Sequence, residues 1–156
     1  MSINITFDVD GMPPRKDGGT SMWSKEKEVN KLISLRTQFY KVLQQHKIAT
    51  PINDYLKLKV HIHIPEKHLE KSDIDNLIGG ICDGLQSADY SAKLRDEYLE
   101  YKGNPIHPLN SFIVNDSKVL EINAKKVIDK KRTFYRVNIE SINKNEILAD
   151  MVGVKY

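Results

Sequence analysis

Tyr55-Leu56-Lys57-Leu58-Lys59-Val60-His61-Ile62-His63-Ile64 is the stretch on which the fold turns. Leu56, Leu58, Val60, Ile62 and Ile64 occupy every second position, so an extended chain puts them on one face and Lys57, Lys59, His61 and His63 on the other. One apolar and one polar face describe a strand in a sheet covered on a single side. Pro65 ends it. Upstream, Val29, Leu32, Ile33, Phe39, Tyr40 and Leu43 recur at helical spacing, and Ser24 is placed to cap a helix running to about His46. Before that, Ile3, Ile5, Phe7 and Val9 alternate with Asn4, Thr6 and Asp8 as a half-buried first strand. Residues 11–20, rich in Pro, Gly and charge, form an exposed loop. Downstream, Ile74, Leu77, Ile78, Ile81 and Leu85 form the buried stripe of a second helix over about residues 73–86. Residues 87–111 are polar and irregular, with a short helix expected at 92–101. Strands follow around 118–127 and 133–141, joined at Asp129-Lys130-Lys131-Arg132 as a solvent-exposed hairpin. The last dozen residues carry only a weak helical or tail-like pattern. The order β-α-β-α-(insert)-β-β predicts an α/β (α+β) fold with one mixed sheet of about four strands and two main helices. It is read as one domain, 1–156, with an insert at about 86–111.

Composition narrows the function classes. The chain has 156 residues, 40% hydrophobic and 29% charged, within globular norms. No apolar run approaches the roughly 20 residues of a membrane span. Met1-Ser2-Ile3-Asn4 has no basic flank followed by an apolar stretch, so no secretory signal is expected. Cys82 is the one cysteine, which excludes an internal disulfide and points to a reducing cytoplasm. The net charge of +3 is small, but residues 118–136 carry seven basic residues against Glu121 and Asp129. Such a segment suits DNA phosphates, whose neutralisation releases counterions; it equally suits a solvated surface in a lysine-rich chain.

The second helix carries the residues that could do chemistry. At about 100° per residue, Gly79 lies near 40° and Asp83 near 80° from Asp75, while the apolar stripe centres near 260°. Asp75 and Asp83 therefore share an exposed face with nothing bulky between them, and Asp73 stands at the helix start. Capping, the helix dipole and surface position account for all three individually. A further acid appears at Asp116, at the head of a strand. Mg²⁺ is usually held by one or two carboxylates plus substrate phosphate, and a bound metal polarises a phosphodiester and acidifies a water for attack.

The ordered set Ser72-Asp73-Ile74-Asp75-Asn76-Leu77, Asp83-Gly84-Leu85 and Asn115-Asp116-Ser117-Lys118-Val119 resembles the RusA family of Holliday junction resolvases. That family carries an Asp-x-Asp-Asn helix start, a downstream Asp-(small)-Leu and an acidic pair leading into a strand. The Pro13-Pro14 loop and the amphipathic strand match in order, so the similarity covers roughly residues 3–142. The resemblance implies a cytoplasmic, bacterial or phage-encoded endonuclease that uses Mg²⁺ (or Mn²⁺), works as a homodimer and nicks branched DNA such as four-way junctions. By position it implies Asp73, Asp75 and Asp116 as catalytic metal ligands, with Asn76 and Asp83 in support. Gly79 stands where the family carries a lysine, leaving Lys118 or Lys71 to supply the cation. About 25 residues (86–110) separate Leu85 from the acidic strand head, where the family connection is short. Arg15, Lys16, Lys71, Lys125, Lys126, Lys130, Lys131 and Arg132 are read as phosphate contacts that position DNA without reading bases. The rival reading is a catalytically inactive DNA-binding module of the same fold.

Other candidates are weaker. His61-Ile62-His63 has zinc-compatible spacing but nothing to complete a ligand set, so a polar sheet face is favoured. Asp116-Ser117-Lys118 fits an Asp-x-Lys nuclease half-motif that is common by chance. Trp23 and Tyr40 could stack bases, although a Trp beside a helix start usually packs. Cys82 lacks a base partner, and Gly18-Gly19-Thr20 lacks the lysine of a phosphate loop.

Overall fold

The computed structural model describes residues 2–18, 20–88 and 104–147. Four strands, β1 (Asn4–Asp10), β2 (Leu56–Ile64), β3 (Val119–Ile128) and β4 (Phe134–Ser141), form one mixed sheet in the order β1-β4-β2-β3. Two helices, α1 (Glu26–Gln45) and α2 (Ile74–Gly84), complete the predicted α+β architecture. Residues 144–147 make a helical turn. The short helix expected at 92–101 lies outside the described residues.

The quoted strand behaves as its pattern requires. Leu56, Leu58, Val60, Ile62 and Ile64 are all at most 3% exposed, and β2 pairs with β3 on one side and β4 on the other. Val29, Leu32, Leu35, Phe39, Val42 and Leu43 of α1 and Leu77, Ile78 and Ile81 of α2 are buried. At the centre Phe39 meets Phe7 and Phe112, with ring centroids 5.3 and 5.5 Å apart.

Two local expectations are corrected. Ser24 does not cap the first helix. It ends a 3₁₀ turn, Met22–Ser24, that the Ser21 hydroxyl caps by accepting from the Trp23 N–H, and α1 begins two residues later behind Lys25. Trp23 in that turn is buried with Val29 and Leu32, a packing role. The second correction is topological: β3 and β4 do not form a hairpin. β4 runs antiparallel between β1 and β2, while β3 lies parallel to β2 at the sheet edge. Burial explains the choice. Tyr135, Val137 and Ile139 of β4 are 0–2% exposed and belong in the middle, whereas the charged and polar β3 side chains Glu121, Asn123 and Lys125 suit an edge. The connection instead crosses the end of β2. The Asp129 N–H donates to the Ile64 carbonyl, and its carboxylate accepts from the Lys131 and Arg132 N–H groups and pairs with His63 at 3.2 Å.

Candidate active site

The carboxylate-bearing helix α2 is fixed at both ends. At its start, Asp73 occupies the N-cap position with extended backbone (φ −71°, ψ 137°), but its side chain makes no capping bond. The carboxylate is exposed and has no partner among the described residues. Asp75, in the first turn, is also exposed. The segment before them is tied to the sheet edge by Lys126 of β3, whose Nζ donates to the carbonyls of Leu69 (2.7 Å) and Ser72. Lys126 is therefore spent internally.

At the other end, burial of Arg36 on α1 anchors the exit from α2. Its guanidinium donates to the carbonyls of Gly84, Gln86, Ile106, His107 and Asn110 and lies 4.4 Å from the Phe112 ring centroid. Desolvation pulls its pKa down to about 10, so it stays charged at neutral pH among carbonyl dipoles. No sequence motif announced this residue; an arginine at a core-facing position of α1, four before Tyr40, was the available signal.

The loop after β1 lies across the exposed side of α2. The Lys16 N–H donates to the Asn76 carbonyl at 3.1 Å. A Cβ on Gly80 would sit 1.8 Å from the Pro14 carbonyl oxygen, so this close approach requires glycine. A Cβ on Gly79 would meet only the Lys16 stem, at 3.5 Å from Cδ. Lys16 thus runs along α2 over the space above Gly79, and its Nζ reaches Asp83 at 3.0 Å. The hydrogen bond and charge of Asp83, with a smaller contribution from Asp116, raise the Lys16 pKa above its ordinary 10.5.

Asp116 opens a 3₁₀ turn (Asp116–Lys118) just ahead of β3 and is exposed. Its field acts on Lys16 and on Cys82, whose burial, first of all, pushes the thiol up to about 11. This places Asp116 at the C-terminal end of α2, near Asp83. Asp73 is at the opposite end, beside Lys126. The eight residues of β3 from Val119 to Lys126 span on the order of 20 Å. Asp73 and Asp116 are therefore not brought together within one chain, and among the described residues no three of His, Cys, Asp and Glu are grouped to hold a metal. Two carboxylates without a partner among the described residues, Asp73 and Asp75, do share the start of α2. Their hard carboxylate oxygens fit Mg²⁺, which often takes only one or two protein carboxylates and completes its shell with water and phosphate.

The cations distribute as follows. Lys118 lies 4.7 Å from the Tyr55 ring centroid, turned toward the start of β2. Arg132 pairs with Asp10 at 2.6 Å. Lys71, Lys125, Lys130 and Lys131 are exposed. Arg15 is half-buried, its N–H donating to Glu28. His63 stacks on Phe134 at 4.3 Å, part of a polar sheet face rather than a zinc site. No described helix is long and apolar enough to cross a membrane.

No curated protein matches the chain. A family model described as endodeoxyribonuclease RusA matches residues 15–92, half of the sequence. That span begins in the loop that carries Lys16 and runs through β2, Asp73, Asp75, Gly79 and Asp83, the parts whose mutual packing is described above. The chain belongs to the RusA family of endodeoxyribonucleases.

Proposed function

We propose that this chain is a Mg²⁺-dependent endonuclease, one domain over 1–156, that acts as a homodimer and hydrolyses phosphodiesters of branched DNA such as four-way junctions. The observation that carries the reading is the pair of exposed carboxylates at the start of α2. Asp73 sits where a side chain ordinarily caps a helix, yet its side chain makes no capping hydrogen bond, so capping does not account for it. Asp73 and Asp75 would hold the metal, assisted by Asn76. When bound, Mg²⁺ supplies charge for the developing phosphorane and acidifies a water. Lys16 and Asp83 form the flank of the same helix face, where an ammonium can meet a backbone phosphate. Lys71, Lys125, Lys130, Lys131 and Arg15 extend the contacts. A two-fold enzyme suits a junction whose opposed strands are cut symmetrically.

The test is incubation with a synthetic four-way junction and Mg²⁺. Paired nicks across the branch point, abolished by Asp75→Asn, are expected. Tight binding without cutting, unchanged by Asp75→Asn, would instead establish an inactive DNA-binding module. The replacement of the family lysine by Gly79 is the observation that favours that alternative.

A further inference from the structure

We infer that the open polar face of the sheet is a second DNA surface, where Lys59, His61, Lys125 and Arg136 take backbone phosphates of a duplex arm other than the one held at α2. The inference rests on the branched-DNA reading above and adds where a further arm of that substrate lies.

Three observations lead here. First, the sheet has two unlike sides. Its apolar side packs against α1 and α2, the helix that carries Asp73 and Asp75, whereas Thr6, Lys59, Asn123, Lys125 and Arg136 on the other side are exposed. Second, the strand register gathers cations from three strands. His61 of β2 stands opposite Arg136 of β4 and Lys125 of β3, and Lys59, two residues before His61, projects from the same face. Strands lie about 4.8 Å apart, so the row from Arg136 to Lys125 spans about 10 Å. Acids on this face are mostly engaged. Asp8 accepts from Arg136 at 2.8 and 3.0 Å, Asp10 pairs with Arg132, and Glu121 pairs with Lys57 at 3.1 Å. Glu140 lies opposite Lys57, two register positions beyond Lys59 from His61. Lys59 and Lys125 have no ion-pair partner among the described residues. Burial first, then the charges of Lys125, Lys59, His63 and Arg136, hold the His61 pKa below its ordinary value. All four of those neighbours are basic, so the centre of the face carries a positive potential.

Third, the chemistry of the face suits a phosphate backbone rather than a peptide. A depression of about 370 Å³ is lined by Asn4, Thr6, Lys59, His61, Arg136 and Asn138, none of them apolar. Protein docking draws its energy from buried aromatic and apolar anchors. DNA backbone is held by cations, amides and hydroxyls, the groups present here. Phosphates recur every ~3.4 Å of helix axis along one strand, so a row of cations about 10 Å long meets several of them. The acids and this face lie on opposite sides of the sheet. Duplex DNA is stiff over about 150 base pairs, so one arm does not fold round the sheet within a few steps. The DNA on the polar face is therefore a different arm, and the subunit sits as a wedge between two arms of a branch.

The test follows binding without divalent metal, so it does not depend on cleavage. Affinity for a synthetic four-way junction is measured against salt, with urea unfolding as the fold control. Lys59→Ala should lower the slope by about one unit, and Lys16→Met with Lys59→Ala by about two, because the two lysines meet different arms. A linear duplex lies on one face at a time, so on it the double variant should lose no more than about one unit. A junction slope that Lys59→Ala leaves unchanged overturns the surface. A loss of two units on the linear duplex as well places both lysines on one track and overturns the second arm. In nuclear magnetic resonance the His61 Cε1 proton should titrate at higher pH once the junction is bound, since phosphates then face a ring surrounded by cations. An unmoved titration overturns the proposal. So does a shift produced by a polyglutamate peptide and not by the junction, which would make this a protein-docking face. A chain that binds in the expected way yet does not cut with Mg²⁺ loses the nuclease reading and keeps the surface. One that cuts while Lys59→Ala binds with an unchanged slope loses the surface and keeps the nuclease reading.

Discussion

Replacing Gly80 by alanine should destabilise the protein, whereas replacing Gly79, one residue earlier on the same helix, should stabilise it. Both substitutions remove a helix-interior glycine, which by propensity alone gains about 1 kcal/mol each. The surroundings then decide the sign. At position 79 the new methyl meets Lys16 Cδ at 3.5 Å and Cβ at 3.6 Å, ordinary contact with a flexible stem. Most of the propensity gain survives, about 0.5–1 kcal/mol, or roughly 2–3 °C in Tm. At position 80 the methyl would lie 1.8 Å from the Pro14 carbonyl oxygen and 2.5 Å from its carbon. Backbone cannot yield as a lysine tip can, so the loop must retreat by more than ~1 Å, at an overpacking cost of about 1–3 kcal/mol. The Lys16 N–H bond to Asn76 goes with it, worth about 1 kcal/mol more. The net expectation for Gly80→Ala is a loss of about 1–3 kcal/mol. Urea unfolding followed by circular dichroism measures both. If the two variants shift stability in the same direction, the docking of the 13–16 loop on α2 is refuted.

The other expected outcomes follow from single contacts. Arg36→Met strands the carbonyls of Gly84, Gln86, Ile106, His107 and Asn110; it should cost about 3–5 kcal/mol in chemical denaturation, and a loss under about 1 kcal/mol would contradict the anchoring role. Cys82, with its thiol raised from 9.0 to about 11, should resist alkylation at pH 8 in the native state. Because the folded protein holds that proton more tightly, the contribution is complete below pH 9 and disappears as pH rises toward 11. Wild type should therefore lose stability relative to Cys82→Ala across that window, and parallel stability curves would contradict it. Lys16→Met breaks an exposed pair with Asp83, so stability should change by no more than about 1 kcal/mol. Junction binding measured against salt should lose about one unit of slope, and an unchanged slope would remove Lys16 from the phosphate contacts.

Much of the fold was legible because its periods were strong. β2 alternates without a break over nine residues, and α2 carries a clean apolar stripe. What the pattern could not show was pairing. β3 and β4 are adjacent in sequence with a turn-rich connection, which reads as a hairpin, but alternation does not say which strand is central. Burial of Tyr135, Val137 and Ile139 settles that in favour of β4. The acidic residues were legible as types and positions along the chain. Their separation was not, because it follows from β3 running parallel to β2, a long-range property. Ser24 misled for a local reason: the preceding Ser21 captures the turn first. Lys16 was read as a loop phosphate contact. Its course over Gly79 depends on a glycine pair that helix propensity marks only as a weakness.

A crystal soaked in Mn²⁺ and read by anomalous scattering reports on the metal directly, whatever the enzyme's activity toward any one DNA. An ion seated against Asp73 and Asp75 at the start of α2 is the predicted result. Density absent there, with Mn²⁺ held instead by Asp83 in place of Lys16, would contradict it.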